Sequence, residues 1–419
     1  MTDAPALTQF HLDFPGNGLV HLIFDCPGRS MNVFSEAAIE DLARFVAWLP
    51  EADVTGVLIR SGKDNAFCAG ADLGELGVAY DMIVAAPERA RFGIAFDHFF
   101  RLGAAMRALE VVGKPVAIAI AGLALGGGCE LALAAHHRVL VDDPKVAMGL
   151  PESLVGLLPG AGGTQRLPRL VGAEGSLPIL LDGARLSGRA ALEAGLVDAL
   201  ATPGEEITAA EAWLLSSPDA SQPWDRDDWV PESAAAIGAV IAPVRARVLA
   251  ETLGHYPAPL AILDCVEFGL PQVFDGAIRT EMAIFSHLIQ RREARDMIQV
   301  LFLGKTDYER AVRKQAVPVV VADAIAALTP LIKNKSGMLQ KAGFGAATGK
   351  MPARHRTGRG YWVDSKDAGE EREAIDTILA QARHLAPGLS SEERRMADYA
   401  LVVGAGFPAY LGGPFAQIC

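Results

Sequence analysis

PVAIAIAGLALGGGCELALAA, residues 115–135, is the stretch on which the fold turns. Its length would suit a membrane span of about 20 residues. Four glycines interrupt it, three of them consecutive, and Glu130 sits inside. Neither feature suits lipid. The stretch reads instead as a buried strand, a glycine turn and a buried helix that carries a carboxylate.

Neighbouring segments repeat the pattern. TGVLIRSG at 55–62, KPVAIAIAG at 114–122 and HRVLVDD at 137–143 are short apolar runs of strand type. Residues 9–25 alternate with period two, broken by Gly16 and Gly18, and predict two more strands. Ala38, Ile39, Leu42, Phe45, Val46 and Leu49 recur at helical spacing over 35–49. Such alternation predicts an α/β layer with buried, partly parallel strands.

After about residue 205 helices dominate. Ile278, Met282, Phe285 and Ile289 make one apolar stripe, and Gly304 reads as its C-cap. Residues 305–318, charged and cut by Pro318, read as a linker. Helical stretches are expected near 319–328, 371–386 and 391–403, the last opened by Ser390 and Glu393 at capping-box spacing. No internal repeat stands out.

The 419 residues are 51% hydrophobic, enough for a large core and too apolar for a disordered chain. A net charge of −12 argues against a nucleic-acid binder. Residues 331–360 differ, with seven Lys/Arg and no Asp or Glu. A solvated face explains that stretch most simply. An electrostatic landing site for an acidic partner or a phosphate is the second reading. The five cysteines form no CxxC or Cys/His cluster, so no metal is expected, and reduced thiols point to the cytoplasm. The N-terminus shows no secretory signal.

Three segments carry chemistry. AFCAGADL at 66–73 is a small-residue turn through which a ligand could reach backbone N–H groups. GLALGGGCELALA at 122–134 exposes N–H groups at a helix N-terminus, with Glu130 close behind. GLPESLVGLLPGAGGTQRLPRLVG at 149–172 sets Glu152 among apolar residues, followed by Gly160, Gly162 and Gly163. Taken singly, these also suit a plain turn, a glutamate capping its own helix and a surface turn residue.

In this order the three motifs resemble the crotonase, or enoyl-CoA hydratase/isomerase, superfamily over roughly residues 10–200. The stretch at 182–200, DGARLSGRAALEAGLVDAL, looks like the region that follows the core in that family. The resemblance implies a spiral of ββα turns and a homotrimer or other homo-oligomer. It implies an oxyanion hole from the amides of Ala71 and Gly127, with Glu130 and Glu152 as catalytic carboxylates. Gly160 would position water or substrate. Coenzyme A would meet Arg29, Ser30, Met31, Ala69, Asp72 and Leu73. One carboxylate would take a proton from water while the other supplies the α-proton or orients the water. Keeping both favours hydration of 2-enoyl-CoA over isomerisation. A non-catalytic CoA-binding scaffold is the contrasting reading.

SSPDASQPWDRDDW at 216–229 and GAIRTEMAIFSHLIQRREARDMIQVLFL at 276–303 resemble the α-subunit of the multifunctional β-oxidation enzyme. TGRGYW at 357–362 and ADYALVVGAGFPAYLGGPF at 397–415 are similar to parts of its dehydrogenase half. That half needs GxGxxG after a strand, and none occurs between 303 and 345. Gly404, Gly406 and Ala409 fail as a substitute because Pro408 stands where the helix should open. ATGKM at 347–351 fails as a phosphate loop. The expectation is therefore a crotonase-like core at 1–205, a helical extension at 206–307 and a helical remnant at 308–419. No NAD and no other cofactor is expected, with coenzyme A arriving as part of the substrate. Neither a membrane nor a nucleic acid is an expected partner, and a thiolase or dehydrogenase is the candidate protein partner.

Overall fold

The computed structural model describes residues 4–64, 66–252, 254–341 and 367–418. The TGRGYW and ATGKM segments and most of the basic stretch lie outside the described residues. Ten strands occur among the described residues: β1 (Phe10–Asp13), β2 (Leu19–Phe24), β3 (Gly56–Ser61), β4 (Ala66–Cys68), β5 (Val116–Ile120), β6 (Leu123–Leu125), β7 (His137–Val141), β8 (Met148–Gly149), β9 (Arg185–Leu186) and β10 (Ala199–Ala201).

They form two sheets. One has the order β1-β2-β3-β5-β7-β10, and the other β4-β6-β8-β9. From β2 onward the first sheet is parallel. Every residue of β2 and β5 is buried, as a parallel sheet covered on both faces requires. Leu58, Ala117, Ala119 and Val139 pack under the helix Glu206–Leu215 through Ala210 and Leu214.

The connection between sheets is the architectural unit. β3 leads into β4 and then the helix Leu73–Ala85; β5 leads into β6 and then the helix Gly127–Ala134; β7 leads into β8 and then the short turn of helix Glu152–Val155. Each turn of this spiral places one strand in each sheet. The fold is therefore α/β, a crotonase-like ββα spiral followed by a mainly helical C-terminal region. The repeat is one of backbone path, with no matching repeat of residues. Gly122 lets β5 pass into β6, since a Cβ there would lie 2.6 Å from Ala66 N and Cα.

One core cluster runs from Phe10 to Ile298 and includes Met282, Phe285 and Ile289 of the expected stripe. These lie on the helix Phe274–Leu288 or at its C-cap. A second cluster joins Met297 and Val300 to Val321, Ile378, Leu401, Phe407 and Phe415. The tail thus packs on the helical segments Arg292–Ile298 and Gln299–Gly304. The helix Ser391–Ala400 opens with the expected capping box, Ser390 with Glu393.

Two expectations for this region need correction. Gly304 is not a C-cap: its φ is −60°, and helical structure continues from the π-helical Gln299–Gly304 into Lys305–Arg313. The glycine is needed for packing, because a Cβ there would lie 2.5 Å from Arg395 O. Residues 305–313 are accordingly helix and not linker. Among the described residues no helix is long and apolar enough to cross a membrane.

Candidate active site

Successive turns of the spiral bring their junctions to one place. Ala71 follows β4, Gly127 follows β6 and Glu152 follows β8, and all three line one cavity of about 1020 Å³. The first two offer amides. Phe34 N donates to Gly70 O at 2.8 Å and Asp72 N donates to Phe34 O at 3.0 Å. Alternation about this bridge then turns the Ala71 N–H away from Phe34, and Ala71 lines the cavity. Gly127 is the first residue of its helix, where N–H groups lack an intrahelical partner. The two segments touch, since a Cβ on Gly70 would lie 3.4 Å from Gly127 N. Gly70 has φ +104° and Gly126 has φ +55°, conformations that side chains resist.

Glu130 and Glu152 meet different surroundings. Glu130 is 3% exposed, and its Oε1 accepts the N–H groups of Ala161 at 2.7 Å and Gly163 at 2.8 Å. Burial raises its pKa, and the two amides and Arg166 oppose that rise. Glu152 lies against the Gly126–Gly127 turn, with Oε1 only 2.7 Å from where a Gly126 Cβ would be. Its Oε2 is buried without a hydrogen-bond partner among the described residues. Burial first, then the negative charge of Glu130, pushes the Glu152 carboxyl well above the ordinary range. Both carboxyls are thus pushed upward by burial, and the amides of Ala161 and Gly163 offset that rise only at Glu130.

The glycine loop is held from several sides. Arg166 is fully buried and forms a two-pronged ion pair with Glu110, Nε to Oε1 at 2.8 Å and Nη2 to Oε2 at 2.9 Å. Its Nη1 donates to Ala161 O at 2.6 Å. Gly162, at φ +99°, has no room for a side chain beside that guanidinium. Gly160 lines the cavity as expected, packed under Phe285.

Of the expected coenzyme A contacts, Ala69, Asp72 and Leu73 line the cavity. Asp72 caps its helix, accepting from Gly74 N at 2.9 Å and Glu75 N at 3.3 Å. Arg29, Ser30 and Met31 lie outside the cavity wall. Arg29 reaches it only through Asp72, Nη2 to Oδ2 at 2.7 Å. The sequence reading overlooked Asn32, which stitches these segments together. Its Nδ2 donates to Phe24 O at 2.7 Å and Phe67 O at 2.8 Å, while its backbone oxygen accepts Ala69 N at 2.9 Å.

The enoyl-CoA hydratase/isomerase family model matches residues 16–222. Through that segment the chain belongs to the enoyl-CoA hydratase/isomerase family. The fatty acid oxidation complex subunit alpha of Shewanella loihica is 37% identical over 311 residues, 72% of this chain and 42% of that protein. Its counterpart in Shewanella halifaxensis is 34% identical over 298 residues, 70% and 40% of the two chains. The chain spans about two-fifths of the length of these curated relatives. An enoyl-CoA hydratase from Bacillus halodurans shares the fold, with a TM-score of 0.50 at 17% identity, covering 70% of this chain and 99% of that one.

The enoyl-CoA hydratase/isomerase segment does not complete the cavity alone. Phe285 comes from the helix Phe274–Leu288, Leu301 and Phe302 from the π-helical Gln299–Gly304, and Tyr399 and Val403 from the tail. The helix Arg292–Ile298, which precedes them, packs on the helix Leu73–Ala85, where Arg295 lies over the Tyr80 ring at 5.6 Å. A second residue beyond the matched segment also escaped the sequence reading. Glu281 is 1% exposed and meets the glycine loop from the side opposite Glu130. Burial and the charge of Glu130 push its carboxyl up to about 8.

Proposed function

We propose that the protein adds water across the double bond of 2-enoyl-CoA thioesters, in fatty-acid or related acyl-CoA degradation. One observation carries this reading: two buried glutamates, one held by backbone amides and one with a carboxyl oxygen lacking a partner among the described residues, line the same cavity as Ala71 and Gly127.

The steps follow from these groups. The thioester oxygen sits between the amides of Ala71 and Gly127. Glu130 takes a proton from water as the water oxygen bonds to the β-carbon. Electrons move through the α-carbon onto the thioester oxygen, and the amides stabilise the resulting enolate. Each such donor contributes about 10²–10³ in rate in comparable sites. Glu152 then delivers its proton to the α-carbon. Return of a proton from Glu130 to Glu152, directly or through solvent, restores the starting state. The net change is addition of one water, with no step assigned to a nicotinamide cofactor or a metal.

The 1020 Å³ cavity has room for an acyl chain as well as the pantetheine arm. Buried free thiols at Cys26, Cys68, Cys129 and Cys265 suit a reducing compartment such as the cytoplasm.

The test is to mix purified protein with 2-enoyl-CoAs of several chain lengths and, separately, with a 3-enoyl-CoA. Absorbance of the conjugated thioester and product mass are followed. The reading expects loss of absorbance and a product heavier by one water. It fails if no 2-enoyl-CoA is hydrated, or if the 3-enoyl-CoA is isomerised while the 2-enoyl-CoAs stay unchanged.

A further inference from the structure

Four consecutive amides, from Ala161 to Thr164, end on two carboxylates in alternation. Those of Ala161 and Gly163 reach Glu130 Oε1 at 2.7 and 2.8 Å. Gly162 N reaches Glu281 Oε1 at 2.6 Å, and Thr164 N reaches Glu281 Oε2 at 3.0 Å. Thr164 Oγ1 also donates to Glu281 Oε2, at 2.5 Å, and accepts from Gln165 Nε2 at 3.0 Å. Gln165 Nε2 in turn donates to Cys265 O at 2.9 Å.

The loop is thus clamped between the helix Gly127–Ala134 and the helix Phe274–Leu288. Alternation matters for a physical reason. An N–H can point only one way, so whatever captures the even-numbered amides leaves the odd-numbered ones for the other side. Gly162, in the left-handed region, permits the reversal. Without Glu281 two buried amides would lose their acceptor, and unsatisfied buried donors are costly enough to rotate the loop. Rotation would move the Ala161 and Gly163 amides off Glu130. Those two amides are what offset the burial of Glu130.

We infer that Glu281, from a helix outside the family segment, is a positioning residue that sets the geometry of Glu130 by holding the even-numbered amides of the 161–164 loop. The inference rests on the proposed hydration and deepens it. Glu281 touches no substrate atom in this account. It acts on the step in which Glu130 takes the proton from water, so its loss acts on kcat more than on KM.

The experiment is a double-mutant cycle on hydration, using Glu130→Gln, Glu281→Gln and the double variant. Glutamine keeps the size of Glu281 but offers one acceptor oxygen in place of two. We expect Glu281→Gln to lower kcat about 10- to 100-fold with KM within about threefold. In the Glu130→Gln background the same change should lower kcat by less than about twofold, because nothing remains to be positioned. Thr164→Val, which removes the hydroxyl that donates to Glu281 and accepts from Gln165, should lower kcat about three- to tenfold. A butyryl-CoA titration and circular dichroism report whether each variant is folded and binds; if Glu281→Gln unfolds, Thr164→Val in the same cycle decides.

A Glu281→Gln kcat equal to that of the unsubstituted protein overturns the inference. So does an equal fold-loss in both backgrounds, which marks a merely structural role. If Glu130→Gln itself hydrates normally, the failure belongs to the hydration reading and not to Glu281.

Discussion

The strand-rich spiral and the helical half divide the labour of one site. The spiral supplies every group to which the proposed reaction assigns a step: the amides of Ala71 and Gly127 and the carboxyls of Glu130 and Glu152. The helical half supplies what holds or encloses them: Glu281 under the loop, Phe285 over Gly160, and Leu301, Phe302, Tyr399 and Val403 on the cavity wall. Reacting groups sit at strand–helix junctions, where backbone amides are unpaired. A helix interior has no free amide to offer, so the second half can contribute only side chains. Motif content and site boundary therefore do not coincide in this chain.

The joint between the halves should give the largest effect. Arg107 ties the helix Glu88–Glu110 to Asp225, Nη2 to Oδ1 at 2.6 Å, and to Asp275, Nε to Oδ1 at 2.7 Å. Next to it, Arg166 and Glu110 are both fully buried. Arg166→Met leaves Glu110 without its close two-pronged partner, and about 3–5 kcal/mol of stability should be lost. Urea unfolding measures this, and a loss below about 1 kcal/mol would show that the joint is not needed.

Next comes a substitution confined to the spiral. Gly70→Ala forces a side chain into φ +104°, with its Cβ 3.3 Å from Leu125 O and 3.4 Å from Gly127 N. Displacing one amide of the oxyanion pair should lower kcat about 10²–10³-fold. The circular dichroism spectrum should be retained. Unchanged turnover would remove Ala71 and Gly127 from the mechanism.

The pH dependence of stability should bear the mark of both halves. Glu152 in the spiral and Glu281 and Asp398 in the helical half all have raised carboxyl pKa values, with burial the first cause. A carboxyl that is harder to ionise when folded binds more protons in the native state than in the unfolded one. Stability then falls as pH rises from the ordinary carboxylate range through the folded value, which for Glu281 is about 8. Each such group contributes a slope of up to about 1.4 kcal/mol per pH unit within its window. The urea midpoint should therefore be lower at pH 8 than at pH 6.5. A midpoint that rises over that interval would contradict the burial of these carboxyls.

The smallest effect belongs to the wall supplied by the helical half. Phe302 is 37% exposed and lines the cavity. Phe302→Ala removes part of an apolar wall worth about 1 kcal/mol to a bound chain. KM for a long-chain 2-enoyl-CoA should rise roughly fivefold, with kcat within about twofold. The ratio of long-chain to short-chain kcat/KM reports it. An unchanged ratio would leave Phe302 outside the substrate's reach.

What was legible in the sequence was local. A strand, the glycine turn and the helix of 115–135 are there, because short-range sterics and burial decide them, but the single strand expected is two, β5 and β6, in different sheets. Glu130 and Glu152 stood out because a carboxylate in an apolar run is expensive. Glu281 did not, although it lies on the very stripe read as core: its partners are 117 and 119 residues away in sequence. Gly304 misled for a related reason. A glycine after an apolar stripe suggests a C-cap, whereas here it admits the backbone of Arg395, 91 residues on. The tail's place on the cavity wall is likewise a long-range contact that no local pattern announces.

The central claim is that Glu130 and Glu152 share the proton traffic of hydration. The most direct measurement is the rate of crotonyl-CoA hydration by Glu130→Gln and Glu152→Gln, each shown to bind butyryl-CoA. The account expects kcat to fall by about 10²–10⁴ in each variant. Turnover at the unsubstituted rate in either one would contradict it.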